Sequence, residues 1–411
     1  MAPLLALLMA LRPSGSEAQA VPPPSLELFD AASGADSAAR RAAILADPER
    51  YATVGASGCE FRSIAAALLS LDSNPRIIVV LDAVHLESGI EIDRDATIAG
   101  LGAASTTVEA AIEPEDAEDR VFLVKRGARA AISGLTIRGG KIADVPRRGG
   151  GVANSGELVL EDCAIVDNLS TYGCGVWTEG RLVMRRCAVV GNRGLKRPIE
   201  DELRAIDCGG KGAGVRVEKG GDALLEDCLV AFNQSVSAGG ALHVSCEARA
   251  ELRNCTLYAN AAKGRGGAID LAGGELSLIG CTIAANSSTG PGAGIFNRGR
   301  LSLVGCLFAG QGRRDYFLGE DGGGDQGRGS LERNLGNFSE SGSVPASAAG
   351  DARLMGLSRN GGLLPTCALG PGSPALGRVD PTLLPALDAR GKPRLVYPND
   401  YAAAGAWGGA D

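Results

Sequence analysis

One position of this chain recurs as cysteine, at Cys163, Cys187, Cys228, Cys255, Cys281 and Cys306. Five residues after each comes an amide side chain: Asn168, Asn192, Asn233, Asn260, Asn286 and Gln311. The units stay close to Leu-x-Leu-x-x-Cys-x-apolar-x-x-Asn, as in LVLEDCAIVDN and LSLIGCTIAAN. Successive cysteines are 24, 41, 27, 26 and 25 residues apart. A period of that length marks a stacked array in which each unit buries its apolar face only against its neighbours.

Within a unit the apolar residues alternate or come in short bursts. Leu158, Leu160 and Cys163 share one face, with Ile165 following, and Leu276, Leu278, Cys281 and Ile283 repeat the pattern. Period-two alternation over so few residues specifies strands rather than helices. Each unit also carries a small-residue triplet before an apolar residue, as in Gly149-Gly150-Gly151-Val152 and Gly266-Gly267-Ala268-Ile269. Such triplets suit tight corners and close backbone approach. Three short strands and three corners fit each unit. The fold expected is all-β: a right-handed, single-stranded parallel β-helix with three short strands per rung and a short N-terminal capping helix.

Stacking places equivalent residues about 4.8 Å apart, the spacing of neighbouring strands. The cysteines then form an interior column, and the Asn and Gln residues a corner ladder in which each amide bonds the next. No Cys-x-x-Cys pair or histidine accompanies the column, so it reads as a core of small apolar thiols, with no metal site expected. Just before the cysteines runs a column of charge. Two positions ahead it reads Glu161, Arg185, Glu226, Arg253; one position ahead, Asp162, Arg186, Asp227, Asn254. The signs alternate from rung to rung, as stacked neighbours require. A self-neutralised ladder explains this. The catalytic reading of the same cluster names Glu161, Asp162, Arg185, Arg186, Glu226 and Asp227.

The 411 residues suffice for one long array with caps. A net charge of −7 gives no reason to expect nucleic-acid binding, and leaves room for a local basic groove only. Residues 1–20 resemble a secretory signal, with an apolar core at Leu4 to Leu11 and a cleavage site at Ala18-Gln19-Ala20. No later stretch is apolar enough to cross a membrane as a helix. Residues 21–50 form an N-terminal extension with a helical Ala/Arg/Asp part. Residues 51–311 form the β-helix with its cap, the capping helix being read from Phe61, Ile64, Leu68 and Leu71. Strands are expected at Tyr51 to Val54, Ile77 to Leu81, Ile90 to Ile92, Thr97 to Ile98, Val121 to Val124 and Ala131 to Ile137. Residues 312–411 supply a loop and complete the helix.

Five cysteines lie off the column: Cys59, Cys174, Cys208, Cys246 and Cys367. Loop proximity puts Cys174 with Cys208 first among candidate disulfides. The insertion Gly194 to Gly210, with Lys196, Arg197, Glu200, Asp201, Glu202 and Arg204, reads as a solvated excursion. The Gly/Asp-rich stretch 312–333, with Asp321 and Asp325, reads as a loop rather than a calcium site. His85 and His243, the only histidines, are expected at ordinary surface or strand positions.

These motifs resemble the secreted pectate-lyase-like β-helix superfamily. Residues 51–101 resemble the N-terminal cap of polymorphic outer membrane protein-like β-helices. The C-terminal third resembles a choice-of-anchor Q domain, through Asn334-Leu335, Asp351-Ala352-Arg353-Leu354, Asn360-Gly361-Gly362, Gly372-Ser373-Pro374-Ala375, Asp388 to Arg394, and the stretch Asp400 to Trp407. The resemblance implies a secreted or surface-displayed bacterial protein, extracellular or associated with the outer membrane. The chain ends at Asp411 with no anchoring tail in view, which departs from the family pattern. The Asn-Thr-Asp, Gly-His-Gly and Arg-Ile-Lys signatures of polygalacturonases are absent. Three functions compete. The first is a non-catalytic scaffold, without cofactor, that binds an extracellular polysaccharide or a cell-surface component. The second is a polysaccharide lyase or hydrolase acting on an acidic polysaccharide, with calcium as cofactor if it is a lyase. The third is a structural stalk.

Overall fold

The computed structural model describes residues 34–70, 76–144, 147–196, 210–311, 315–319, 329–345, 347–394 and 404–405. The signal-like residues 1–20, Cys208, the insertion's charges from Arg197 to Arg204, and Asp321 and Asp325 lie outside the described residues.

The repeat folds into a parallel β-solenoid. Sheet I has eleven strands, from Tyr51–Val54 to Ser330–Leu335, and sheet II has eleven, from Val84–Leu86 to Ala348–Ala349. Sheet III has nine, from Ile90–Ile92 to Tyr316–Leu318. One rung runs through Val152–Asn154 in sheet III, Glu157–Glu161 in sheet I and Ala164–Val166 in sheet II. It then adds a strand the sequence did not announce, Leu169–Ser170, part of a six-stranded sheet IV of two-residue strands that follows the amide ladder. Two residues have no periodicity to read. The expected strand Ala131 to Ile137 is two strands, Arg129–Ser133 and Thr136–Arg138, divided at a corner.

In sheet I the alternation acts directly. Leu158 and Leu160 point inward opposite Leu182 and Met184, while Glu157 and Glu161 face out opposite Arg181 and Arg185. A register slip of one residue would bury the charges, so the pairing is fixed. The six column thiols are all buried. Each donates to a carbonyl of the preceding rung, as Cys187 Sγ does to Leu160 O at 3.4 Å.

Two corners of each rung turn on a single residue in the left-handed region. Before the column position these are Gly134, Asp162, Arg186, Asp227, Asn254, Gly280 and Gly305, with φ between 49° and 63°. Before the amide ladder they include Asp167, Gly191, Phe232, Ala259 and Ala285. Gly, Asn and Asp tolerate this conformation; Arg186 and Phe232 do so only under constraint. At the third corner the triplets meet a different demand. A Cβ on Gly150 would lie 2.5 Å from Leu169 O, so backbone occupies the space of a side chain.

The N-terminal end is covered by the short helix Ile64–Ser70, which buries Ile64 and Leu68. It starts after Phe61, which instead bonds the first strand through Thr53 O. Glu87 caps its N-terminus, accepting from Ile64 N at 2.7 Å and Ala65 N at 2.9 Å. A further helix, Gly34–Leu45, precedes it, as the composition of residues 21–50 suggested. At the other end the parallel sheets stop at Ala348–Ala349. An antiparallel pair, Leu354–Ser358 with Thr366–Leu369, then turns back over the outer face of sheet II, where Cys367 packs in one cluster with Tyr258 and Ala231.

Candidate functional site

The six candidate catalytic residues lie on the outer face of sheet I and the corner beside it, and each has a partner. Arg186 Nε is 2.8 Å from Asp162, and its Nη2 is 2.6 Å from Glu161. Glu226 sits between Arg185, at 3.0 Å, and Arg253, at 3.3 Å. Asp227 accepts from Asn254 Nδ2 at 3.0 Å. A second alternating column, Arg129, Glu157, Arg181, Asp222, Arg249, Glu275 and Arg300, runs parallel along the start of the same strands. Two such columns side by side act as a register device: Glu157 and Glu275 pair within the second column as Glu161, Asp162 and Glu226 do in the first, and half-exposed pairs of this kind add little stability each.

One end of this ladder is not flat. Thr382 to Leu387 run beside Glu226, Asp227, Arg253 and Asn254 and leave a cleft of about 480 Å³. The segment is locked there by the Asp388 to Arg394 motif. Buried Asp388 accepts from Arg390 N and Nε, both at 2.9 Å. Arg394 reaches Asn254 Oδ1 at 2.7 Å, and Asn254 Nδ2 donates to Leu387 O at 3.0 Å. Burial pushes the Asp227 carboxyl up, against the lowering effect of Asn254.

The richer constellation is on sheet III. Its strands are three residues long, and the middle residue of each points outward. In register these read Glu91, Leu123, Ala153, Trp177, Arg216, His243, Asp270, Phe296 and Phe317. His243 is not at the surface: it is 4% exposed, and its Nδ1 lies 2.8 Å from Asp270 Oδ2. Asp270 Oδ1 accepts from Arg265 Nε at 2.9 Å, and that guanidinium lies over the Phe296 ring. Arg216 binds Glu218 through Nε at 2.9 Å and stacks over Tyr172. Arg148 covers Trp177. Guanidinium-on-ring contacts of this sort are favourable and leave the fork free for acceptors.

Burial would push both carboxyls of this layer up, but their partners prevail. Arg216 and Ser245 hold Glu218 at about 2, and His243 and Arg265 hold Asp270 at about 2. Burial lowers His243 below the usual histidine range, so the imidazole is neutral at pH 7. Its Nδ1 then carries the proton given to Asp270, which leaves Nε2 as the basic nitrogen. The layer can grip acceptor-rich groups, offer the partly exposed ring of Phe317, and place one neutral imidazole among cations.

Among the described residues no group of three or more His, Cys, Asp or Glu is arranged to hold a metal. Cys174 is a free, buried thiol donating to Ser170 O at 3.3 Å, pushed up to about 12 by burial. Its candidate partner, Cys208, lies outside the described residues. His85 is likewise buried, between Asp82 at 3.3 Å and Glu87 at 2.8 Å. Both histidines sit in strands, as expected, but neither is at the surface. The sheet III column could have been found from the triplets, since aligning them places Trp177, Arg216, His243, Asp270 and Phe296 at one position. Comparison with family models and with curated proteins gave no match for this chain. No helix of the described residues is long and apolar enough to cross a membrane.

Proposed function

We propose that this chain is a secreted or surface-associated β-helix of the pectate-lyase-like kind, whose C-terminal third is a choice-of-anchor Q-like region, and that it works as a non-catalytic glycan-binding scaffold. The observation that carries the reading is the aromatic and arginine layer on the outer face of sheet III. Trp177 and Phe296 bracket the charged positions, four rungs apart, or about 19 Å at the spacing of stacked strands. Extended sugar chains are held by forked donors that meet their oxygens, and the partly exposed Phe317, stacked on Phe296, offers a ring for their apolar faces. The resemblance of Asp388 to Arg394 gains a physical role here, because those residues lock the C-terminal segment across the corner of sheets I and II.

The test is a glycan array probed with the purified mature chain, alongside an Arg148→Gln/Phe317→Ala double variant checked for unchanged circular dichroism. Binding to a defined glycan group, reduced in the variant, supports the scaffold. A blank array would sink it.

A lyase or hydrolase acting on an acidic polysaccharide is the second reading, and one observation favours it. His243 is neutral, oriented by Asp270, and holds Nε2 as a base. Ultraviolet absorbance with uronate polymers, with and without calcium, decides this: unsaturated product lost in His243→Gln would establish the enzyme.

A further inference from the structure

The layer on sheet III has a donor surplus. Its two carboxylates are saturated from inside: Glu218 Oε2 takes Arg216 Nε and Nη2, and Oε1 takes Ser245 Oγ at 2.9 Å. Asp270 takes His243 on one oxygen and Arg265 on the other. Among the described residues, three buried nitrogens of the same face have no hydrogen-bond partner: Trp177 Nε1, Arg216 Nη1 and Arg298 Nε. Trp177 is 6% exposed and Arg216 9%. Unpaired buried donors are costly, and cationic ones more so. Among the described residues Arg298 makes its ring contact with Phe296 and has no ion-pair partner, while burial and then Arg265 disfavour its charge against the favourable effect of Asp270. The side chain lying over Trp177 is that of Arg148, about a third exposed and able to swing aside.

We infer that this face binds a polyanionic glycan, one bearing carboxylate or sulfate groups, with Trp177 Nε1, Arg216 Nη1 and Arg298 Nε as the donors awaiting its oxygens. The inference rests on the glycan-binding reading and narrows it to an acidic ligand class. The chain's net charge of −7 makes the selectivity local: whole-protein electrostatics oppose such a ligand, and this face overcomes them. Anionic oxygens satisfy forked donors better than neutral hydroxyls do, and they relieve the repulsion between neighbouring guanidinium groups.

The experiment compares matched polymers by affinity electrophoresis of the mature chain: dextran sulfate against dextran, and polygalacturonate against its fully methyl-esterified form. Arg298→Gln is the principal variant, because it removes a charge without orphaning a carboxylate; Arg148→Gln is the second. The result expected is retardation by at least one charged polymer and not by its neutral counterpart, weakened by added salt. Arg298→Gln should weaken it about tenfold, the worth of one charge-assisted hydrogen bond, with thermal unfolding unchanged. Retardation by dextran sulfate alone assigns a sulfate ligand, and by polygalacturonate alone a carboxylate ligand. Equal retardation by charged and neutral polymers overturns the inference and leaves the glycan scaffold standing. Full affinity in both variants overturns this placement of the site. Retardation by none overturns both.

Discussion

Asn192 and Asn233 are 41 residues apart in the chain and one hydrogen bond apart in space: Asn192 Nδ2 donates to Asn233 Oδ1 at 2.9 Å. The neighbouring steps, Asn168 to Asn192 and Asn233 to Asn260, close at 3.0 and 2.9 Å over 24 and 27 residues. The insertion therefore leaves no mark on the ladder. Asn233 uses all of its side-chain amide, also donating to Val189 O and accepting from Asn192 N. Asn233→Leu should cost about 2–5 kcal/mol, because it strands a buried carbonyl and a buried amide together. Urea unfolding measures this, and a change below 1 kcal/mol (about the net worth of one hydrogen bond) would deny the ladder its structural role.

Arg186 holds a left-handed φ of 49° where its neighbours in the column are Asp162 and Asp227. Its salt bridges to Glu161 and Asp162 are partly exposed, so losing them costs little. Arg186→Gly should stay within about 1 kcal/mol of the parent, relief of the backbone offsetting the lost pairs. Arg186→Val should destabilise by about 1–2 kcal/mol, since a β-branched residue fits this conformation poorly. Equal stability of the two variants would refute the corner geometry.

The two histidines should respond to pH in opposite directions. His85 is raised by Glu87 and, against burial, by Asp82. Its contribution is complete below the unfolded histidine value near 6.5 and is lost as pH climbs through the raised folded value. His243 is lowered by burial, so its contribution is present above about 6.5 and is lost as pH falls. Asp270, held at about 2, adds a further loss below the ordinary carboxylate range. Hydrogen exchange corrected for intrinsic rate should show the capping amides of Ile64 and Ala65 loosening on the alkaline side. Sheet III should loosen on the acid side. His85→Gln should abolish only the first trend.

Arg394 is 8% exposed and joins Asn254 Oδ1 to Gly405 O. Arg394→Ala should release the C-terminal segment and cost about 2 kcal/mol or more, since two acceptors lose a charged donor. Limited proteolysis should then cut within 376–394 while the β-sheet circular dichroism persists. An unchanged cleavage pattern would mean the segment is held by its apolar contacts alone.

The cysteine column and amide ladder were legible because one residue type recurs where each rung makes the same demand: a small apolar group inside, an amide bonding along the stack. The outer column of sheet III could be located from the triplets, but its chemistry was not legible, because outward positions repeat no single packing requirement. Trp177, Arg216, His243 and Asp270 therefore share a position without sharing a chemistry. His243 looked isolated because its partner Asp270 is 27 residues on, one rung along the array. The contact of Arg394 with Asn254 spans 140 residues and belongs to no period at all.

Leu384 rests against the corner glycines Gly280 and Gly305, beyond the rung of Asn254, and Val379 continues to Gly336. A stack of rungs touching only their neighbours frays one layer at a time from its open end. A single segment laid across four consecutive corners forbids that, because no layer can leave until the segment does. The C-terminal half should thus melt as one block, and the end of the array is guarded from its side rather than by a lid.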